Sequence, residues 1–166
     1  MYKKILVAID RSAHSLAAFE AALHQALQST AELVLLGVVE VPVLVDTAGL
    51  YVQSYTSQLL EVQEEQRRSL ERFLDELEER ALRVQVRVTR LQPVGSPGPI
   101  ICAEARRQGT DLIVLGRRGL SGLKEFLLGS VSNYVVHHAL CTVLVVQGTG
   151  VSSEEHSLLH RNAVQD

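Results

Sequence analysis

The sequence predicts an α/β fold in a single domain, an open five-stranded parallel sheet with helices on both faces. Three observations carry that expectation. Short apolar runs alternate with longer stretches whose apolar residues recur at helical spacing, in the order β-α-β-α-β-α-β-α-β. Most of the short runs are apolar throughout, as strands covered on both faces must be. Finally, 166 residues that are 46% hydrophobic and 21% charged suit one compact core rather than two.

The first run, KILVAI at 4–9, ends at Asp10, and from Ser12 the positions Leu16, Phe19, Leu23, Ala26 and Leu27 mark a helix. ELVLLGVV at 32–39 reads as a doubly covered strand. Between Ser54 and Ala81, Leu59, Leu60, Val62, Leu70, Phe73, Leu74 and Leu77 form the buried stripe of a long amphipathic helix whose charges make a solvated face. RVQVRVTR at 83–90 differs in alternating strictly, so one of its faces meets water and it belongs at the sheet edge. The breaker cluster GSPGP at 95–99 leads into a short helix with Ile100, Ile101 and Ala105 inward, which Gly109 is placed to stop. DLIVLG at 111–116, a helical stretch, and TVLVV at 142–146 complete the series.

Composition excludes several function classes. A net charge of -3 and a pI near 6.1 give no basis for a nucleic-acid partner, so any phosphate site must be local. The N-terminal apolar run ends at Asp10, too soon for a secretory signal, and LVLLGVVEVPVLV is broken by Glu40 and Pro42 before it could span a bilayer. No membrane role and a cytoplasmic location are expected. Cys102 and Cys141 match no metal or C-x-x-C spacing and read as reduced core thiols. His137 and His138 lie about a hundred degrees apart on a helix, which suits one surface and one partly buried histidine rather than a shared metal. Neither G-x-S-x-G, H-E-x-x-H nor a Walker A loop occurs. Residues 148–166, with a capping box at Ser152 and Glu155, read as a mobile tail or a short accessory helix.

In an open parallel sheet, ligands sit outside the carboxyl ends of the strands where the strand order reverses. That rim carries Asp10, Val38, Val39 and Gly116. Behind it runs GRRGLSGLKEFLLGSVSN at 116–133, in which Gly116, Gly119 and Gly122 would let backbone N–H groups converge on an anion. Ser130 is a candidate N-cap, with Val131, Tyr134, Val135 and His138 at helical spacing, and a helix N-terminus favours negative charge. Ser130 and Ser132 add hydroxyls, and Arg117, Arg118 and Lys124 make this the most basic short stretch. Spacing alone leaves two readings open: a phosphate cradle, or a strand-to-helix turn followed by a capped helix.

The pattern G-x-x-G, nine residues, then G-[ST], after a D-L-I-V-L strand, resembles the ATP-binding signature of the universal stress protein family, with Gly116, Gly119, Gly129 and Ser130 in its four positions. KILVAIDRSAHS, LVLLGVV and GSPGPIICAEARRQGTDLIVLG extend the likeness across residues 1–147. The resemblance implies a Rossmann-like fold of the adenine nucleotide alpha hydrolase-like kind. It implies that Ala8 and Asp10 line an adenosine pocket, that Val38 meets adenine through its backbone, and that Leu115 packs near the base. Gly116 to Gly122, with Arg117, Arg118, Gly119 and Gly122, would wrap ribose and phosphates. Ser130, Val131 and Ser132 would hold the triphosphate with its magnesium or manganese. Arg11 replaces a common glycine, Gly37 a frequent histidine, and Arg117 a small residue; Arg117 either faces phosphate or points to solvent.

The family's strand order would leave apolar TVLVV at an edge, where pairing with the same strand of a second copy would cover it. A homodimer through 142–146 is therefore expected, with Val145 the position where a charge would break it. The functional expectation is a nucleotide-responsive dimeric stress-response module that binds ATP and at most hydrolyses it slowly. In that reading the nucleotide orders the glycine loop and the segment VPVLVDTAGLYVQ at 41–53. The alternative is a structural or chaperone-like homodimer that binds no nucleotide. An enzyme would need a reactive pair that the sequence does not display.

Overall fold

The computed structural model describes residues 1–40, 57–117 and 128–148, with side chains from residue 60 in the second stretch. The expectations for Arg118, Gly119, Gly122, the 41–53 segment and the tail after Gly148 lie outside the described residues. The elements are β1 (Lys4–Ile9), α1 (Ala13–Ser29), β2 (Glu32–Gly37), α2 (Ser57–Arg83), β3 (Val88–Leu91), α3 (Pro97–Gln108), β4 (Leu112–Gly116), α4 (Ser130–His138) and β5 (Thr142–Val146). All pair in parallel in the order β3-β2-β1-β4-β5. The chain thus builds outward from β1 on one side, then returns to the other.

Side-chain parity sorts the core into two layers. Ile5, Val7, Ile9, Leu33, Leu35, Leu112 and Val114 face α1 and α2, where they meet Phe19, Ala22, Leu70, Leu74 and Leu77. The intervening Leu6, Val34, Leu36, Ile113 and Leu115 face the other way, onto Ile101, Ala105 and Val135. Alternate strand residues point to opposite faces, so three strands buried on both sides must be apolar at nearly every position.

Caps decide where the helices begin and end. Ser12 starts α1 by accepting from the Ser15 N–H at 3.1 Å, and Pro97 occupies the first turn of α3. Three helices stop in one way, with a left-handed residue after the last turn: Thr30 (φ 54), Gln85 (φ 62) and Gly109 (φ 65). The following N–H groups of Ala31, Val86 and Thr110 reach back to Ala26, Ala81 and Ala105 at 2.9 to 3.0 Å.

That closure corrects the expected strand at 83–90. α2 continues to Arg83, the chain turns at Gln85, and Val86 folds under the helix end before β3 begins at Val88. Alternation at Val84, Val86 and Val88 is equally compatible with a helix terminus, a turn and a short strand. The edge position of β3 stands, secured by Thr89 Oγ1 donating to Glu32 and by Arg90 pairing with Asp75 and Glu78 on α2.

The stripe on α2 also needs correction. Leu70, Leu74, Leu77 and Ala81 are buried, but Leu60 and Val62 are half exposed. A helix of 27 residues is about 40 Å long, whereas a six-residue strand spans about 20 Å, so the first turns of α2 overhang the sheet. Similarly Leu27 stays exposed because α1 contacts the sheet through a narrow stripe of Ala18, Phe19, Ala22 and Ala26. β2 ends at Gly37 rather than 39, although Val39 forms a single parallel bridge to Val94.

At the amino end of the sheet, Asp111 Oδ2 accepts from the N–H groups of Lys3 and Lys4 at 2.6 and 3.0 Å. Those bonds hold its carboxyl below the ordinary 3.8. A depressed folded pKa contributes stability above the unfolded value that is lost as pH falls through the folded one. Asp111→Asn should therefore cost about 1 kcal/mol near neutrality, at the low end for a charged acceptor because the group is exposed. The gap from the parent should close below pH 3.8, as read by urea titrations across pH.

Candidate nucleotide site at the carboxyl rim

The carboxyl ends of β1 and β4 separate. The ladder between them stops at Val7 and Val114, whereas β1 stays paired to β2 as far as Ile9 with Gly37, and β4 to β5 as far as Gly116 with Val146. A crevice therefore opens at the point where the strand order reverses, the place a ligand occupies in such sheets. Ala8, half-buried beside Leu36, and Asp10 stand on its β1 side, with Leu115 and Gly116 on its β4 side. Val38 follows the end of β2, partly buried against the α3 and α4 layer.

Asp10 is fixed by its neighbours. Its Oδ1 accepts from the Ser12 N–H at 3.0 Å and from the Ser12 hydroxyl at 2.6 Å, a side-chain turn that places Ser12 to cap α1. The residue between them, Arg11, has φ 67, so it holds a left-handed conformation that favours glycine.

Gly116 has a reason independent of any ligand. A Cβ there would fall 2.8 Å from the backbone carbonyl carbon and oxygen of His14, so only glycine lets the first turn of α1 lie against the end of β4. Gly37 plays a similar part, since its Cβ would meet Leu70 and Leu74 of α2 at 3.0 Å. A bulky histidine at 37 would push that helix away.

The N-terminus of α4 is anchored to the same rim. Ser132 Oγ donates toward the carbonyls of Gly116 and Arg117 at 2.8 and 3.1 Å, and the Gly129 N–H donates to Arg117 O at 2.9 Å. The N-cap is Gly129 and not Ser130, which is the first helical residue, and no side chain caps the helix. Ser130 was expected to cap because hydroxyl residues favour that position, but Gly129 already has the extended conformation required. Among the described residues no side chain caps the first-turn amides of Ser130, Val131 and Ser132, as an anion site requires. The hydroxyl proton of Ser132, buried, is committed to the β4 end and leaves its backbone N–H for a ligand.

Groups elsewhere are accounted for structurally. Cys102 and Cys141 are free and half-buried, and burial pushes both thiols up. His137 and His138 are both exposed, against the expectation that one is partly buried. His138 instead stacks on Tyr134 with ring centroids 4.0 Å apart and places Nδ1 2.8 Å from the Tyr134 carbonyl. Glu64, bonded by Arg67 and Arg68 on the solvent face of α2, is held down to about 2. Among the described residues no cluster of three or more His, Cys, Asp or Glu could hold a metal, and no helix is long and apolar enough to cross a membrane.

Sequence reasoning missed His14 and Ser69, because nothing local shows which backbone will meet a glycine or which helix an arginine will reach. Ser12 was legible as a helix start, though not its bonds to Asp10.

Comparison with known proteins gives one consistent result. The profile described as the universal stress protein family matches residues 1–147. Universal stress protein YxiE of Bacillus subtilis is 38% identical over 149 residues, covering 89% of this chain and all of the relative. Universal stress protein UspA from Lactobacillus plantarum superposes with a TM-score of 0.76 at 28% identity, covering 87% of this chain and 97% of that one. A universal stress protein family protein from Arabidopsis thaliana with AMP bound gives a TM-score of 0.58 at 22% identity, covering 93% and 99% of the two chains.

The anchoring of α4 and α1 to the end of β4 yields a test without ligand. Gly116→Ala should destabilise by about 1–3 kcal/mol through overpacking, and Ser132→Ala by about 1 kcal/mol through the loss of its bonds to the part-buried carbonyls of Gly116 and Arg117. Denaturant unfolding of the two variants checks this, and wild-type stability for Gly116→Ala would refute the close approach to His14.

Proposed function

This chain belongs to the universal stress protein family, and we propose that within it the protein is a cytoplasmic, dimeric, nucleotide-responsive module that binds ATP at the crevice between β1 and β4. The observation that supports this most is the parting of β1 and β4 beside an α4 N-terminus that no side chain caps. The Arabidopsis protein with AMP bound has the same fold, at an identity that supports the fold alone.

In this reading the first-turn amides of α4 and the Ser130 hydroxyl hold the phosphates. Ala8, Asp10, Val38 and Leu115 form the adenosine end, with Gly116, Arg117, Arg118, Gly119 and Gly122 around ribose and phosphates. Magnesium or manganese would arrive with the triphosphate and neutralise its charge. Asp10 already accepts from Ser12 through Oδ1, so its part is to orient ribose or metal-bound water rather than to act as a fast general base. Any turnover is therefore slow. One observation favours the scaffold reading: His14 alone accounts for Gly116.

Calorimetric titration with Mg-ATP decides between them. The nucleotide-stripped parent should bind in the micromolar range, and Gly129→Val, whose backbone (φ -60) tolerates any residue, should weaken binding at least about tenfold while staying folded, with the small loss of stability expected for Val at an N-cap. No binding by a folded parent would leave the scaffold reading.

β5 stands at the sheet edge, where pairing with a second copy would satisfy its outer backbone groups. Val145 packs against the α3 and α4 layer, so a charge there would damage the core as well as an interface. Leu144 is 41% exposed and is the cleaner probe. Leu144→Lys should shift the protein toward monomer in sedimentation equilibrium with an unchanged circular dichroism spectrum; an unchanged mass would exclude this edge as the interface.

A further inference from the structure

Three consecutive strand ends converge on one turn of α2. After β1, Arg11 donates through Nη1 to Ser69 Oγ at 2.8 Å. At the end of β2, Gly37 leaves room for Leu70, with Leu74 of the next turn beside it. After β3, Gln92 Nε2 donates to the Arg67 carbonyl at 3.0 Å. Residues 67–70 are thus tied to the rim from three directions, although no residue of that turn was a candidate for the site.

Arg11 is the unusual member. The other described non-glycine residues with positive φ, Thr30 and Gln85, follow helix ends, where backbone bonds to the preceding turn stabilise the conformation. Arg11 precedes a helix, and its left-handed backbone is strained relative to a relaxed conformation. The bonds that hold it in place include those of Asp10 to Ser12 on the loop side and of its own guanidinium to Ser69 on the α2 side. The loop after β1 is therefore fixed at one end by its own carboxylate and at the other by a helix 58 residues away.

We propose that Arg11 is a positioning residue for the site: its guanidinium, held by Ser69, sets Asp10 and the loop after β1 against α2, so that α2 fixes where Asp10 stands. The consequence for binding rests on the nucleotide reading above; the strut itself does not. Ser69 meets the loop through the Arg11 guanidinium.

Hydrogen exchange and Mg-ATP calorimetry on the full chain test this together. Arg11→Gly suits the left-handed backbone and removes the guanidinium, whereas Ser69→Ala removes its acceptor from the far side. Both should speed amide exchange across residues 10–15 at least about fivefold and weaken Mg-ATP by a similar factor. The double variant should be no worse than Arg11→Gly, and Ser69→Thr, which keeps the hydroxyl, should behave as the parent. Unchanged exchange in the single variants overturns the strut. Faster exchange with unchanged affinity overturns the role in positioning Asp10 for the ligand. Failure of the parent to bind overturns the nucleotide reading, and exchange then decides the strut by itself.

Discussion

Because β1, β2 and β4 are buried on both faces, nearly every residue along them beyond the polar Lys4 and Glu32 at the amino end must be apolar whichever way it points, and the rest of the architecture follows from that requirement. A parallel sheet needs a crossover for each new strand, and covering both faces means placing helices on opposite sides. The chain meets both demands by building β2 and β3 to one side of β1 with α1 and α2 on one face, then β4 and β5 to the other with α3 and α4 on the second. The reversal at β1 is thus a by-product of burying two faces with one short chain. It also opens the crevice.

The two ends of the sheet are treated differently. At the amino end polar groups close the structure: Asp111 takes the Lys3 and Lys4 amides, and Lys4, Glu32 and Thr89 link three adjacent strands. At the carboxyl end the central strands part, a helix begins without a side-chain cap, and a non-glycine residue holds a left-handed conformation. Bonds at one end serve cohesion; at the other they orient groups around a gap. Fixing loops around a gap limits how far they reorganise when a ligand enters.

Glycine illustrates why a motif and a mechanism differ. Gly116 occupies a signature position, yet the contact that forbids a side chain there is with the backbone of α1. Cradle and turn are compatible, since a helix drawn close to the end of β4 also narrows the rim. Ser132, outside the four signature positions, likewise ties α4 to the end of β4 through its hydroxyl. A residue can therefore be required by the signature for packing and still contribute to binding.

By itself the sequence determined the fold class, the presence and order of the five strands, the helix-stopping Gly109, the edge position of the third strand, and the rim on which Asp10 and Gly116 stand. These are local properties, since runs, spacing and caps act within a few residues. Only the tertiary structure decided that Arg83 to Arg87 end a helix and turn before β3, because alternation at Val84, Val86 and Val88 fits both conformations until Ala81 accepts from Val86. It alone decided that Leu60 overhangs the sheet, that Gly129 and not Ser130 caps α4, and that Gly116 faces His14. It alone joined Arg11 to Ser69, because a long side chain finds its partner through the packing of elements far apart in sequence.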